Sequence, residues 1–184
     1  MHTANHRDGH DGEVDRALEA IARLTRDGLV REALAASERL LRHDPCNGRV
    51  WRVRAHLLAR HCAWSHAIDS LARAAAPCAT PTIDLLSGGR WRLEAGDLIG
   101  AIADFSALLA RRLQPEARPW LGLARFLRAI AQYDAGLYAN TLRDCTRLPD
   151  TVCGRARGRY WQVRAMRRDA EAALRIVPQF PYAS

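Results

Sequence analysis

Apolar positions along this chain recur every three or four residues in a series of short segments, the period of helices with one buried face. Residues 13–27 place Val14, Leu18, Ile21, Ala22 and Leu24 mostly on one side. Residues 30–43 do the same with Ala33, Leu34, Leu40 and Leu41. The pattern predicts further helices over 49–60, 65–76, 82–94 and 98–112. A longer one follows over 120–133, with a partner over 138–148 and a last helix or helix pair over 155–174. Asp27-Gly28, Asp44-Pro45, Gly96-Asp97, Pro115, the run Asp134-Ala135-Gly136 and Pro149-Asp150 supply the breaks, because Pro and Gly chemistry stops helices. Pro77 and Pro81 bound a loop between the fourth and fifth helices. Alternating segments rich in Val, Ile and Thr are nearly absent, so no sheet is expected. Residues 1–12 are polar and contain Gly, and are expected to be a disordered tail; 179–184 form a second tail.

The helices come in pairs, and the pairs echo one another. Ala33, Ala67 and Ala101 are 34 residues apart, each followed by a branched aliphatic: Leu34, Ile68 and Ile102. Five residues before each Ala stands Gly28, Cys62 or Gly96. A fixed period of 34 with turn and small residues at fixed offsets is the mark of stacked helix-turn-helix units. Ala at the repeated position permits close helix approach; a larger side chain would overpack it. Gly28 and Gly96 suit the positive φ of a tight turn, and the turn with Cys62 is expected to differ. After Pro115 the period slips, since Gly136 lies 40 residues after Gly96.

This pattern resembles the tetratricopeptide repeat. In residues 14–47, Gly28, Ala33, Leu34, Leu41, Asp44, Pro45 and Asn47 match the repeat's turn glycine, packing alanine and terminal Asp-Pro-x-Asn. Unit 48–81 offers Trp51, Ala55, Trp64, Ala67, Ile68 and Ala74, and unit 82–115 offers Gly89, Gly96, Asp97, Ala101, Ile102 and Phe105. Units 116–150 and 151–178 are degenerate. The resemblance implies an all-α, right-handed solenoid of antiparallel helix pairs over 13–178. It also implies that the first helix of each pair lines a concave groove for partner segments. Arg49, Arg52, His56 and Arg60 share one stripe of helix 49–60. The corresponding stripes carry Arg90 with Glu94, and Arg118, Arg125 and Arg128. The implied groove is therefore cationic. The family's carboxylate-clamp subtype is not matched: its positions fall on Leu18 and Ala22, and near Ile83 and Ser87. Arg54 sits in the apolar arc of its helix and is expected to snorkel or to pair with a carboxylate such as Glu38.

Charge sharpens the expectation about partners. The net charge is +8, and all 28 basic Lys-or-Arg positions are Arg. Guanidinium groups bind carboxylates and phosphates bidentately. The leading expectation is an adaptor or chaperone holding an acidic protein segment. Nucleic acid, RNA above all, fits the charge as an alternative. Self-association through Tyr160, Trp161 and Val163 of the last helix is a third. No phosphate loop, nucleophile elbow, zincin motif or paired-cysteine motif is present, so the chain is read as non-enzymatic and without cofactor. Cys46, Cys62, Cys78, Cys145 and Cys153 are too widely spaced for a disulfide framework or zinc, and are read as small, mostly buried hydrophobes of a reducing cytoplasm. His2, His6 and His10 lack the fixed backbone of a metal site. No run is apolar enough to span a bilayer, nor is there a signal-like block at the start.

Overall fold

A computed structural model of the chain describes residues 5–75 and 80–176; side chains are described from residue 12 onward. Among these residues the fold is mostly helical, and within each of its two units neighbouring helices in sequence pack on one another. It divides into two compact units, Met1–Thr80 and Pro81–Ser184.

The first unit holds α1 (Asn5–Arg26), α2 (Val30–His43), α3 (Gly48–Arg60) and α4 (Trp64–Ala75). The bounds of α2 are those the apolar period predicts. By contrast, α1 begins at Asn5, inside the stretch expected to be a disordered tail. No Pro stands there to break the helix, so the backbone continues toward the N-terminus. Ile21, Ala33 and Leu57 form one buried cluster, and Val14, Leu41 and Val50 another.

The α2–α3 connection shows why Asp-Pro-x-Asn works as a turn. Asp44 Oδ2 accepts from Asn47 Nδ2 at 3.0 Å, while Asn47 Oδ1 accepts from Val50 N at 3.2 Å and caps α3. Trp51 Nε1 donates to Pro45 O at 2.8 Å, tying the indole to the same turn. These side chains satisfy backbone groups that a helix start leaves unpaired.

The second unit contains α5 (Thr82–Ala95), α6 (Leu98–Ala110), a 3-10 turn (Arg118–Trp120), α7 (Leu121–Asp134), α8 (Tyr138–Cys145) and α9 (Val163–Ile176). The residues that break the repeat period therefore go into residues 111–120, a turn region ahead of α7. Phe105 is fully buried, with Gly89 of α5 against its ring. A Cβ at Gly89 would come within 2.7 Å of the Phe105 ring, so this mid-helix glycine is set by packing.

One expectation is overturned here. Residues 155–174 are not one helix or helix pair, and a sheet is present: β1 (Cys153–Ala156) pairs antiparallel with β2 (Arg159–Gln162). The turn residues Arg157 and Gly158 have φ of +53° and +68°. Two left-handed residues in a two-residue loop match the twist of a tight hairpin. Trp161 Nε1 donates to Ala156 O at 3.0 Å, and Val163 N to Val152 O at 3.0 Å. The sequence pattern hid the hairpin because its strands are four residues each and carry only Tyr160 and Trp161 of the β-favouring residue types.

Four turns share one geometry. Gly28, Cys62, Gly96 and Gly136 all have positive φ, at +78°, +55°, +87° and +73°. In each, the following residue's N–H reaches back five positions: Leu29 to Leu24, Ala63 to Leu58, Asp97 to Arg92 and Leu137 to Gln132. This is the Schellman arrangement that satisfies late carbonyls of a helix. The Cys62 turn therefore does not differ, contrary to expectation: a non-glycine residue carries the left-handed conformation, held by the same bonds. Five residues later stand Ala33, Ala67, Ala101 and Thr141, all fully buried. Thr141 fits because its hydroxyl donates to Leu137 O at 3.1 Å.

Candidate functional site

In the first unit the four candidate residues lie along α3. Arg49, His56 and Arg60 are exposed and Arg52 is half-buried. Arg49 Nη2 is 2.6 Å from Asp15 Oδ1 of α1, in a pair whose side chains are more than half exposed. Arg52 and His56 each have a partner. Arg60 has none among the described residues. The buried residues Val50, Ala55, Leu57 and Ala59 occupy the flanks of the helix, so the basic stripe is an exposed edge between two packed sides.

Arg54 lies away from that stripe. It is half-buried and makes no ion pair among the described residues, with Glu38 included.

In the second unit the candidates separate. Arg90 on α5 and Arg118 ahead of α7 are exposed and have no internal partner among the described residues. Arg125 is half-buried and its Nε is unpartnered among the described residues, as is Oε1 of Gln132 two turns along. Arg128 is drawn inward. Its Nε and Nη2 donate to Asp144 Oδ2 and Oδ1 at 2.7 Å each, and its Nη1 donates to Ser106 Oγ at 3.0 Å. Asp144 is 3% exposed. Arg128 thus joins α6, α7 and α8 as an internal tie rather than displaying a free guanidinium.

Glu94, one turn along from Arg90, is also engaged internally. Both of its carboxylate oxygens accept from Arg157 N at 3.0 Å. The Arg157 and Arg159 guanidinium groups lie 3.4 and 3.6 Å from Asp134 of α7. Gly154 faces the Phe126 ring, and Trp161 meets Tyr133 edge-on at 5.6 Å. The hairpin therefore rests against α7 and the end of α5. Sequence spacing carried no signal for these pairings, since Glu94 and Arg157 are 63 residues apart.

Tyr160 and Trp161 lie on β2, not on the last helix. Trp161 and Val163 are buried while Tyr160 is exposed. The apolar edge expected for self-association is thus largely consumed by the core. The cysteines also differ from expectation: Cys46, Cys62 and Cys153 are exposed, and Cys145 alone of the described four is buried. Burial pushes the Cys145 thiol up to about 11, so it stays protonated at neutral pH. Burial likewise raises the Asp104 carboxyl, opposed by Arg92 beside it. Cys78 and the side chains of His2, His6 and His10 lie outside the described residues. No metal-ligand cluster and no helix long and apolar enough to cross a membrane occur among the described residues.

No protein-family model matches the chain, and no curated protein matches it.

Proposed function

We propose that the chain is a non-enzymatic helical-repeat scaffold of the tetratricopeptide type. It acts as an adaptor or chaperone and holds a protein segment of acidic character on its basic helix faces. The observation that supports this reading is the recurrence of one left-handed turn at Gly28, Cys62, Gly96 and Gly136, each followed five residues later by a buried small residue. Repeats of this kind mostly serve as binding surfaces. Arg60, Arg90 and Arg118 are exposed cations without internal partners among the described residues. Guanidinium forks suit carboxylates on an incoming chain. The net charge of +8 also favours a second reading, RNA or DNA as the partner.

The test is a pull-down with the tagged 184-residue chain from its native lysate, split into nuclease-treated and untreated halves. A protein captured in both halves, and lost when Arg60, Arg90 and Arg118 are each changed to Glu, is the expected result. Loss of every partner on nuclease treatment transfers the basic faces to nucleic acid. Undiminished capture by the folded triple variant removes the basic-face reading.

A further inference from the structure

A second feature of the first unit lies apart from the basic stripe. Three helices line a cleft of about 390 Å³ with polar and apolar side chains. From α2 come Glu38, Leu41 and Arg42; from α3, Trp51, Arg54 and Leu58; from α4, His66, Asp69, Ser70 and Arg73. Each set recurs at three-, four- or seven-residue spacing, which keeps it on one helix face. On α3 this face is opposite the stripe of Arg49, Arg52, His56 and Arg60. The volume falls in the range of small-molecule sites.

The chemistry of the cleft is specific. One part of its wall is apolar and fixed: the Trp51 indole is held by its bond to Pro45 O, with Arg73 Cζ 4.9 Å from the ring centre. Arg54 reaches the cleft half-buried and without a counter-ion among the described residues. None of its guanidinium nitrogens is among the buried unpartnered atoms, so they stay open at the cleft and within reach of a ligand's oxygens. Arg42 and Arg73 add positive charge from the flanking helices. Glu38 and Asp69 are exposed at the same cleft and would repel a second negative group.

We propose that this cleft binds an organic anion with one carboxylate or phosphate head on a flat apolar body. Arg54 grips the head bidentately, Arg42 and Arg73 flank it, and Leu41, Leu58 and Trp51 hold the body. The head group belongs either to a free small acid or to an acidic side chain of a peptide. The site is independent of the partner-binding faces, so either proposal can fail alone.

The test is an NMR titration of the isotope-labelled chain with phenylacetate, phenyl phosphate, neutral benzyl alcohol and the capped dipeptide acetyl-Phe-Glu-amide. Saturable shifts of the Trp51 indole N–H and of cleft residues are expected with the anions and not with benzyl alcohol. Arg54→Met weakens anion binding by about tenfold or more, as loss of a charge-assisted hydrogen-bond pair does. Arg54→Lys, which keeps charge but not the fork, falls between, and decides the matter if Arg54→Met does not fold. Arg23→Ala on α1 leaves binding unchanged. Tighter binding of the free acids assigns the site to a small molecule; tighter binding of the dipeptide assigns it to a peptide side chain. Absence of saturable shifts, an equal response to benzyl alcohol, or unchanged affinity in both Arg54 variants overturns the proposal.

Discussion

The two units solve the same packing problem by different means. In the first, α1 to α4 are regular helical hairpins with buried Ala at the close approaches, and the ion pair Arg49–Asp15 lies on the surface. In the second, α7, α8 and the strand hairpin are tied by polar contacts that reach inward: Arg128 to Asp144 and Ser106, Glu94 to Arg157, and Arg157 to Asp134. Where the repeat period is kept, backbone turns and small residues set the close approaches, with the Arg92–Asp104 pair added between α5 and α6. Where it slips, charged side chains fix elements whose relative placement the period no longer sets. Arginine thus has two roles in one chain, and its count alone does not say which role a given residue plays.

The largest expected difference between the units lies in those ion pairs. Arg128→Ala leaves Asp144 buried without its cation and is expected to cost about 3–5 kcal/mol. Arg49→Ala breaks an exposed pair and is expected to cost under about 1 kcal/mol. Urea unfolding of both variants measures this, and equal losses would erase the distinction between internal tie and surface pair.

A smaller effect tests what the units share. Ala67→Leu and Ala101→Leu both insert bulk at a fully buried approach, and each is expected to cost roughly 1–3 kcal/mol by overpacking. A loss confined to one unit in thermal melts would mean that the repeated position is not equivalent in the two.

The smallest effect concerns the turns. Cys62→Gly relieves a left-handed non-glycine residue and is expected to stabilise by about 1 kcal/mol, whereas Gly96→Ala imposes the same strain and destabilises by a similar amount. A stabilising Gly96→Ala in the same melts would show that the turn tolerates a side chain freely.

Much of the architecture was legible in the chain. Apolar spacing placed α2 through α7 within a few residues, because a helix with one buried face must repeat every three to four positions. Gly28, Gly96 and Gly136 marked turns because glycine adopts positive φ at little steric cost. The candidate basic faces were legible only as helix stripes: the same spacing puts Arg125 and Arg128 near one another on α7, yet Arg128 pairs with Asp144.

The sequence by itself determined the paired helices, their period and the excess of positive charge, all of which follow from local geometry and composition. Only the tertiary structure decided the rest. Cys62 and Arg157 adopt left-handed backbones that their side chains disfavour. At Cys62, backbone bonds to Leu58 and Ala59 close the turn; at Arg157, Glu94 and Asp134 hold the loop from distant helices. The seating of the β1–β2 hairpin on α5 and α7 and the Arg128–Asp144 pair likewise depend on contacts between residues apart in the chain. Such contacts can override local preference because each satisfies a charge or backbone group that would otherwise be desolvated without a partner.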